Sequence, residues 1–107
     1  MKVKLGDETY GPDPDAQMVL CPTCGFEYVH PISVMVNRGG EITTVDADGT
    51  RMRSSAPSGR GVLVTVTYQC ESGDRFRWEM QFHKGNTEMA CHPVGFDDDS
   101  LPTIWRD

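Results

Sequence analysis

Two runs of alternation constrain this chain more than any other feature. Val62, Val64, Val66, Tyr68 and Cys70 alternate with Leu63, Thr65, Thr67 and Gln69, and Phe76, Trp78, Met80 and Phe82 alternate with Arg75, Arg77, Glu79, Gln81 and His83. A period of two puts each set on one face of a strand, and so short a connection makes the strands antiparallel neighbours. Facing residues of such a pair lie on the same side of the sheet, so the two apolar sets must meet. A four-residue loop would set Cys70 against Arg75 and apolar against polar. A three-residue loop, Glu71-Ser72-Gly73, instead pairs Cys70 with Asp74, Tyr68 with Phe76, Val66 with Trp78 and Val64 with Met80. Its third position favours the left-handed conformation that glycine adopts.

The same reading extends outward. Phe26, Tyr28, His30, Ile32, Val34 and Val36 alternate with mostly polar neighbours and indicate a strand interrupted at Pro31. Gly39-Gly40 and Asp48-Gly49 mark turns around short strands near 41–46 and 50–53, and residues 54–59 read as a mobile loop. A Gly85-Asn86 turn leads into a strand in which Glu88, Ala90 and His92 alternate with Met89 and Cys91, pairing Phe82 with Met89 and Met80 with Cys91. Ser100 could cap a short helix ending near Arg106. The expected class is all-β: a small antiparallel, hairpin-based sheet with no long helix. Residues 6–17 hold Gly6, Gly11, Pro12, Pro14 and four acids, which suggests a flexible leader over 1–16 and one domain over 17–107.

With 107 residues, 37% of them apolar, and 11 glycines and 7 prolines, the core must be thin, and a covalent or metal staple would help it. The chain shows no hydrophobic stretch of signal-peptide or membrane-spanning length, so the cytoplasm is the expected compartment. Disulfides are then disfavoured for the four cysteines, and metal binding or core packing is the better account. A net charge of -6 opposes broad binding of phosphate backbones.

Cys21-Pro22-Thr23-Cys24-Gly25 has the form of a zinc knuckle, a tight turn that converges two thiolates on one ion. The strand register selects the remaining ligands. Cys70 and Asp74 share a face with Cβ atoms roughly 5 Å apart, so both join Cys21 and Cys24 in a structural Zn2+ site. His83 falls on the opposite face. Cys91 sits in the apolar layer about 20 Å along the strands and reads as a core cysteine. His30, six residues beyond Cys24, is the alternative fourth ligand if the strand bends, and His92 is a third choice. Bland counterparts exist: turn cysteines for Cys21 and Cys24, a core residue for Cys70, and a turn carboxylate bonded to amides for Asp74.

The strings Cys21-Pro22-Thr23-Cys24-Gly25, Tyr28-Val29-His30, Cys70-Glu71-Ser72-Gly73, Phe82-His83-Lys84-Gly85-Asn86-Thr87 and Trp105-Arg106-Asp107 resemble a family of short uncharacterised zinc-ribbon-like proteins of actinobacterial phages and prophages. The likeness spans roughly residues 19–107. It implies a later Cys-Glu pattern that supplies a fourth Cys or continues as Gly-His, and Asp74 stands where that His would be. It also implies a mobile-element protein that acts by binding a host or phage partner.

Other chemistry fits less well. Thiol oxidoreductases start a helix at the first Cys of C-x-x-C, whereas β-patterned sequence follows here. Asp46-Ala47-Asp48-Gly49 lacks the remaining ligands of a calcium loop. A thiolate-rich zinc is a poor Lewis acid, and no acid/base pair accompanies it, so no enzyme activity is expected. The expected function is a zinc-stabilised module that binds a protein partner, to which the acidic leader and Asp97-Asp98-Asp99 would contribute. The alternative is a nucleic-acid-binding zinc ribbon using Arg38, Arg51, Arg53 and Arg60, with Arg75 and Arg77.

Overall fold

The structure, a computed structural model, describes residues 2–7, 10–54, 61–96 and 104. Among these it contains strands and turns and no helix, as the alternation requires. The strands are β1 (Leu5–Gly6), β2 (Met18–Val19), β3 (Val29–Asn37), β4 (Glu41–Asp46), β5 (Gly49–Ser54), β6 (Leu63–Cys70), β7 (Asp74–His83) and β8 (Asn86–Phe96). β1 and β2 form a two-stranded ladder, and the others form one sheet in the order β5-β4-β3-β6-β7-β8, with all neighbours antiparallel. The 54–59 loop (beyond Ser54), the short helix near Arg106, Arg60 and Asp97-Asp98-Asp99 lie outside the described residues.

The central hairpin has the deduced register: Tyr68 opposes Phe76, Val66 opposes Trp78 and Val64 opposes Met80. Gly73 closes the loop at φ 106°, where a side chain would be strained, and its amide donates to the Cys70 carbonyl at 2.9 Å. The Tyr68 and Phe76 rings stack with centroids 5.2 Å apart. On the far side of β6, Val34 opposes Val66 and Val36 opposes Val64, continuing the apolar face onto β3. Pro31 has no N–H to give to this central strand, and the ladder shifts register between Pro31 and Ser33.

The β7 and β8 hairpin differs from expectation. Its turn is Lys84-Gly85, with both residues at positive φ (49° and 86°), so His83 opposes Asn86, Phe82 opposes Thr87, Met80 opposes Met89 and Trp78 opposes Cys91. A type I′ turn needs positive φ at both central positions, and here a lysine takes the first. The register moves by two residues, which preserves every side chain's face. Cys91 stays in the apolar layer but lies about 13 Å along the strand from the Asp74 level rather than about 20 Å. In the β4 and β5 hairpin, Asp46 opposes Gly49, so the turn is Ala47-Asp48 rather than Asp48-Gly49.

The expected leader is partly built into the fold. Leu5 and Gly6 pair with Val19 and Met18, the Leu20 amide donates to the Lys4 carbonyl at 3.0 Å, and Val3 packs against the core. Lys2-Val3-Lys4-Leu5 alternates polar and apolar residues, and that short pattern outweighs the Gly- and Pro-rich composition that follows it. The core is small, as composition required. Phe76, Cys21, Cys70 and Cys91 are its largest fully buried side chains, with Val19, Val29, Tyr68 and Trp78 packed around them.

Candidate metal centre

The knuckle forms because its backbone closes on itself twice. Gly25, at φ 75°, donates to the Cys21 carbonyl at 2.9 Å, and the Cys21 amide donates to the Phe26 carbonyl at 2.9 Å. This curl aims the amides of Thr23 and Cys24 at the Cys21 sulfur and the amide of Phe26 at the Cys24 sulfur. Such donors stabilise thiolate charge and orient the sulfurs. The second turn, 71–73, is tied to the first by the Glu71 amide, which donates to the Tyr28 carbonyl at 3.0 Å, while Val29 pairs with Cys70. The Lys4 ammonium donates to the Pro22 carbonyl at 3.1 Å and fastens β1 to the same corner.

These constraints bring Cys21, Cys24 and Cys70 together, with all three sulfurs within 4.8 Å of one another. Cys24 Sγ and Cys70 Sγ are 3.6 Å apart. A disulfide would require about 2.0 Å, and two thiolates on a tetrahedral ion with metal–sulfur bonds of about 2.3 Å stand about 3.8 Å apart. The spacing is that of co-ligands, and all four cysteines are free.

Asp74 opens β7 beside this group, with Oδ2 4.0 Å from Cys21 Sγ. A sulfur and an oxygen on one tetrahedral ion are separated by about 3.6 Å, and the group of ligand atoms that all lie within 4.8 Å of one another holds the three cysteines without Asp74, whose carboxylate stands beside it. Sequence reasoning missed Ser72. Its hydroxyl donates to Cys70 Sγ at 3.0 Å and lies 3.5 Å from Cys24 Sγ and 3.3 Å from Asp74 Oδ2. Its place in a three-residue loop between two ligands was the available signal.

Electrostatics divide the sulfurs. Burial pushes the Cys21 thiol up to about 11, against the amides that favour its thiolate. The Ser72 hydroxyl, above all, holds the exposed Cys24 thiol below its ordinary value. A metal ion taken up here would displace the proton from Cys21, so loading at neutral pH would release protons.

The other sequence candidates are placed elsewhere. His30 Nε2 lies 3.0 Å from Glu71 Oε1, outside the cysteine group. His92 is 4.0 Å from Glu79 on the far strands, and His83 sits at the β7 and β8 turn. Cys91 is fully buried beside Trp78, and burial raises its thiol pKa. Among the described residues, the arginines form no uniform cationic face. Arg38 pairs with Glu41 at 3.9 Å, Arg51 is bound to Asp46, whose pKa it lowers, and Arg77 lies 3.7 Å from Glu79, while Arg53 is exposed on β5.

Comparison with known proteins finds no matching family model, no similar curated protein and no similar solved structure. Among the described residues, no helix is long and apolar enough to cross a membrane.

Proposed function

We propose that this chain is a non-enzymatic binding module stapled by one structural zinc ion on Cys21, Cys24, Cys70 and Asp74, and that its surface recognises a protein partner. The observation that carries the reading is the convergence of three sulfurs from two turns, with Cys24 and Cys70 separated by 46 residues in sequence. Soft sulfur ligands, with Cys24 and Cys70 3.6 Å apart, favour zinc among the abundant divalent ions. Two of the three sulfurs belong to the buried core. An ion there joins the N-terminal segment to the sheet, and a core this small gains more from a staple than a large one would.

A sulfur-rich ion is a weak Lewis acid, which favours a structural role over hydrolysis. The net charge of -6 and the ion-paired arginines favour a protein over a nucleic acid as partner. The motif resemblance to phage and prophage proteins fits a role in binding a host or phage factor.

Native mass spectrometry before and after chelation, with elemental analysis of the ion, tests the metal. One zinc per chain is expected, retained in His30→Ala and lost or weakened in Asp74→Ala. A purified chain without zinc that takes none up would overturn the assignment. Capture from lysate tests the partner class: binding should survive nuclease and be lost on chelation, whereas nuclease-sensitive binding would point to nucleic acid.

A further inference from the structure

Between the β1 and β2 ladder and the knuckle lies a groove of about 350 Å³. It is lined by Met18, Leu20 and Phe26, by Gly6 and Gly25, and by the acidic residues Asp7 and Glu27. The glycines keep it open. A Cβ on Gly6 would come within 3.4 Å of Leu20 Cδ2 and 3.6 Å of Met18 Cε, and a Cβ on Gly25 would meet nothing within 4 Å. Phe26 is 39% exposed, and Leu5 and Tyr28 nearby are exposed to a similar degree. Apolar side chains left uncovered around a concave site mark a place for a ligand.

The charge of the lining identifies the ligand. Neither Asp7 nor Glu27 has a cationic partner among the described residues, and the nearby Lys4 ammonium is directed to the Pro22 carbonyl instead. Glu27 Oε1 accepts a hydrogen bond from the Tyr10 hydroxyl at 3.3 Å, which orients the carboxylate. Two acidic residues lining an apolar trough match a side chain with an aliphatic stem and a cationic, multi-donor head. Phosphate-bearing partners would be repelled. The volume is at the small end of ligand sites and suits one long side chain with its adjoining backbone.

We propose that this groove docks an arginine-bearing segment of a protein partner. The arginine stem lies along Met18 and Leu20, and its guanidinium reaches Asp7 and Glu27 beside the Phe26 ring. Arginine is favoured over lysine because its planar fork can bond both carboxylates while stacking on an aromatic face. The proposal rests on the reading of the domain as a protein-binding module, and it makes the metal part of recognition. Gly25, Phe26 and Glu27 follow Cys24 directly, so the ion that shapes the knuckle also shapes one wall.

The test uses the zinc-loaded full chain and an array of nonapeptides with central Arg, Lys, citrulline or norleucine and flanking Leu, Val or Ala. Fluorescence anisotropy is then measured on the best Arg peptide. Citrulline and norleucine versions should bind at least about tenfold more weakly, as should the Asp7→Asn/Glu27→Gln double variant, and added salt should weaken the wild-type contact. Gly6→Val, whose Cβ fits at ordinary contact distance in a strand position, should block binding while zinc content and melting temperature are retained.

No binding of any Arg peptide, equal binding of the citrulline peptide, or undiminished binding by Gly6→Val would overturn the groove. Two outcomes separate this proposal from the wider one. If the groove variants still capture a nuclease-resistant partner as well as wild type, the groove is wrong and the module reading stands. If chelated protein binds the Arg peptide unchanged, the groove stands and its dependence on metal is wrong.

Discussion

Cys70 and Cys91 are both fully buried and both belong to the same core, yet they have different neighbours. Cys70 Sγ lies among two other sulfurs and a serine hydroxyl, whereas Cys91 lies opposite Trp78 and outside that group. Cys91→Ala should therefore retain zinc and lose about 1 kcal/mol of stability from reduced packing. Cys70→Ala should lose the ion and with it several kcal/mol. Zinc content per chain and urea unfolding of the two variants check this, and equal zinc loss in both would make Cys91 a ligand. The distinction was legible in the sequence because face parity and the Glu71-Ser72-Gly73 loop bring Cys70 and Asp74 side by side. Ser72 was not legible as a neighbour of two sulfurs, because alternation does not encode a hydroxyl's rotamer. His30 was admitted as a ligand on reach alone, and its bond to Glu71 depends on a pairing of β3 with β6 that no local pattern announces.

At the scale of elements, turn chemistry decides register. Lys84 and Gly85 occupy the two left-handed positions of the β7 and β8 hairpin. Gly85→Ala adds a Cβ that meets nothing within 4 Å, so its cost is backbone strain alone, about 1–2 kcal/mol. Lys84→Asn should recover a few tenths to about 1 kcal/mol, because asparagine tolerates this conformation better than lysine does. Chemical denaturation of both variants, read against wild type, measures the two signs, and a neutral Gly85→Ala would show that the turn is not strained. The misplacement of this turn in the sequence reading follows from the same fact, since lysine is not a turn signal there. Parity survived because the error was two residues, and a shift of one would have turned Cys91 out of the apolar layer. β1 was missed for another reason: a two-residue strand offers almost no period, and Leu5 and Gly6 are ordered by what lies against them.

The whole molecule is a sheet and a corner held together unequally. β3 to β8 are joined by ladders whose hydrogen bonds need no metal. The N-terminal segment is held by a two-residue ladder, the packing of Val3 and Val19, the Lys4 contact with Pro22 and the sulfurs of the knuckle. Removal of the proposed ion would leave the first set of bonds intact and take one member from the second. Regions held by few buried contacts open first, at free energies below that of global unfolding. Hydrogen exchange followed by mass spectrometry should therefore show, on chelation, faster exchange across residues 2–28 and 70–76 and little change in β4 and β5, which lie across the sheet from the site. Uniform acceleration over all strands would mean instead that the ion sustains the entire fold, as it does in small zinc domains that unfold without metal. Unchanged exchange near the knuckle would mean that the buried contacts of Cys21 and Cys70 hold the corner without any ion. If the proposed zinc ion sits on the three sulfurs, the division between sheet and corner gives it a local structural role, and the surface of the corner should then appear and disappear with zinc.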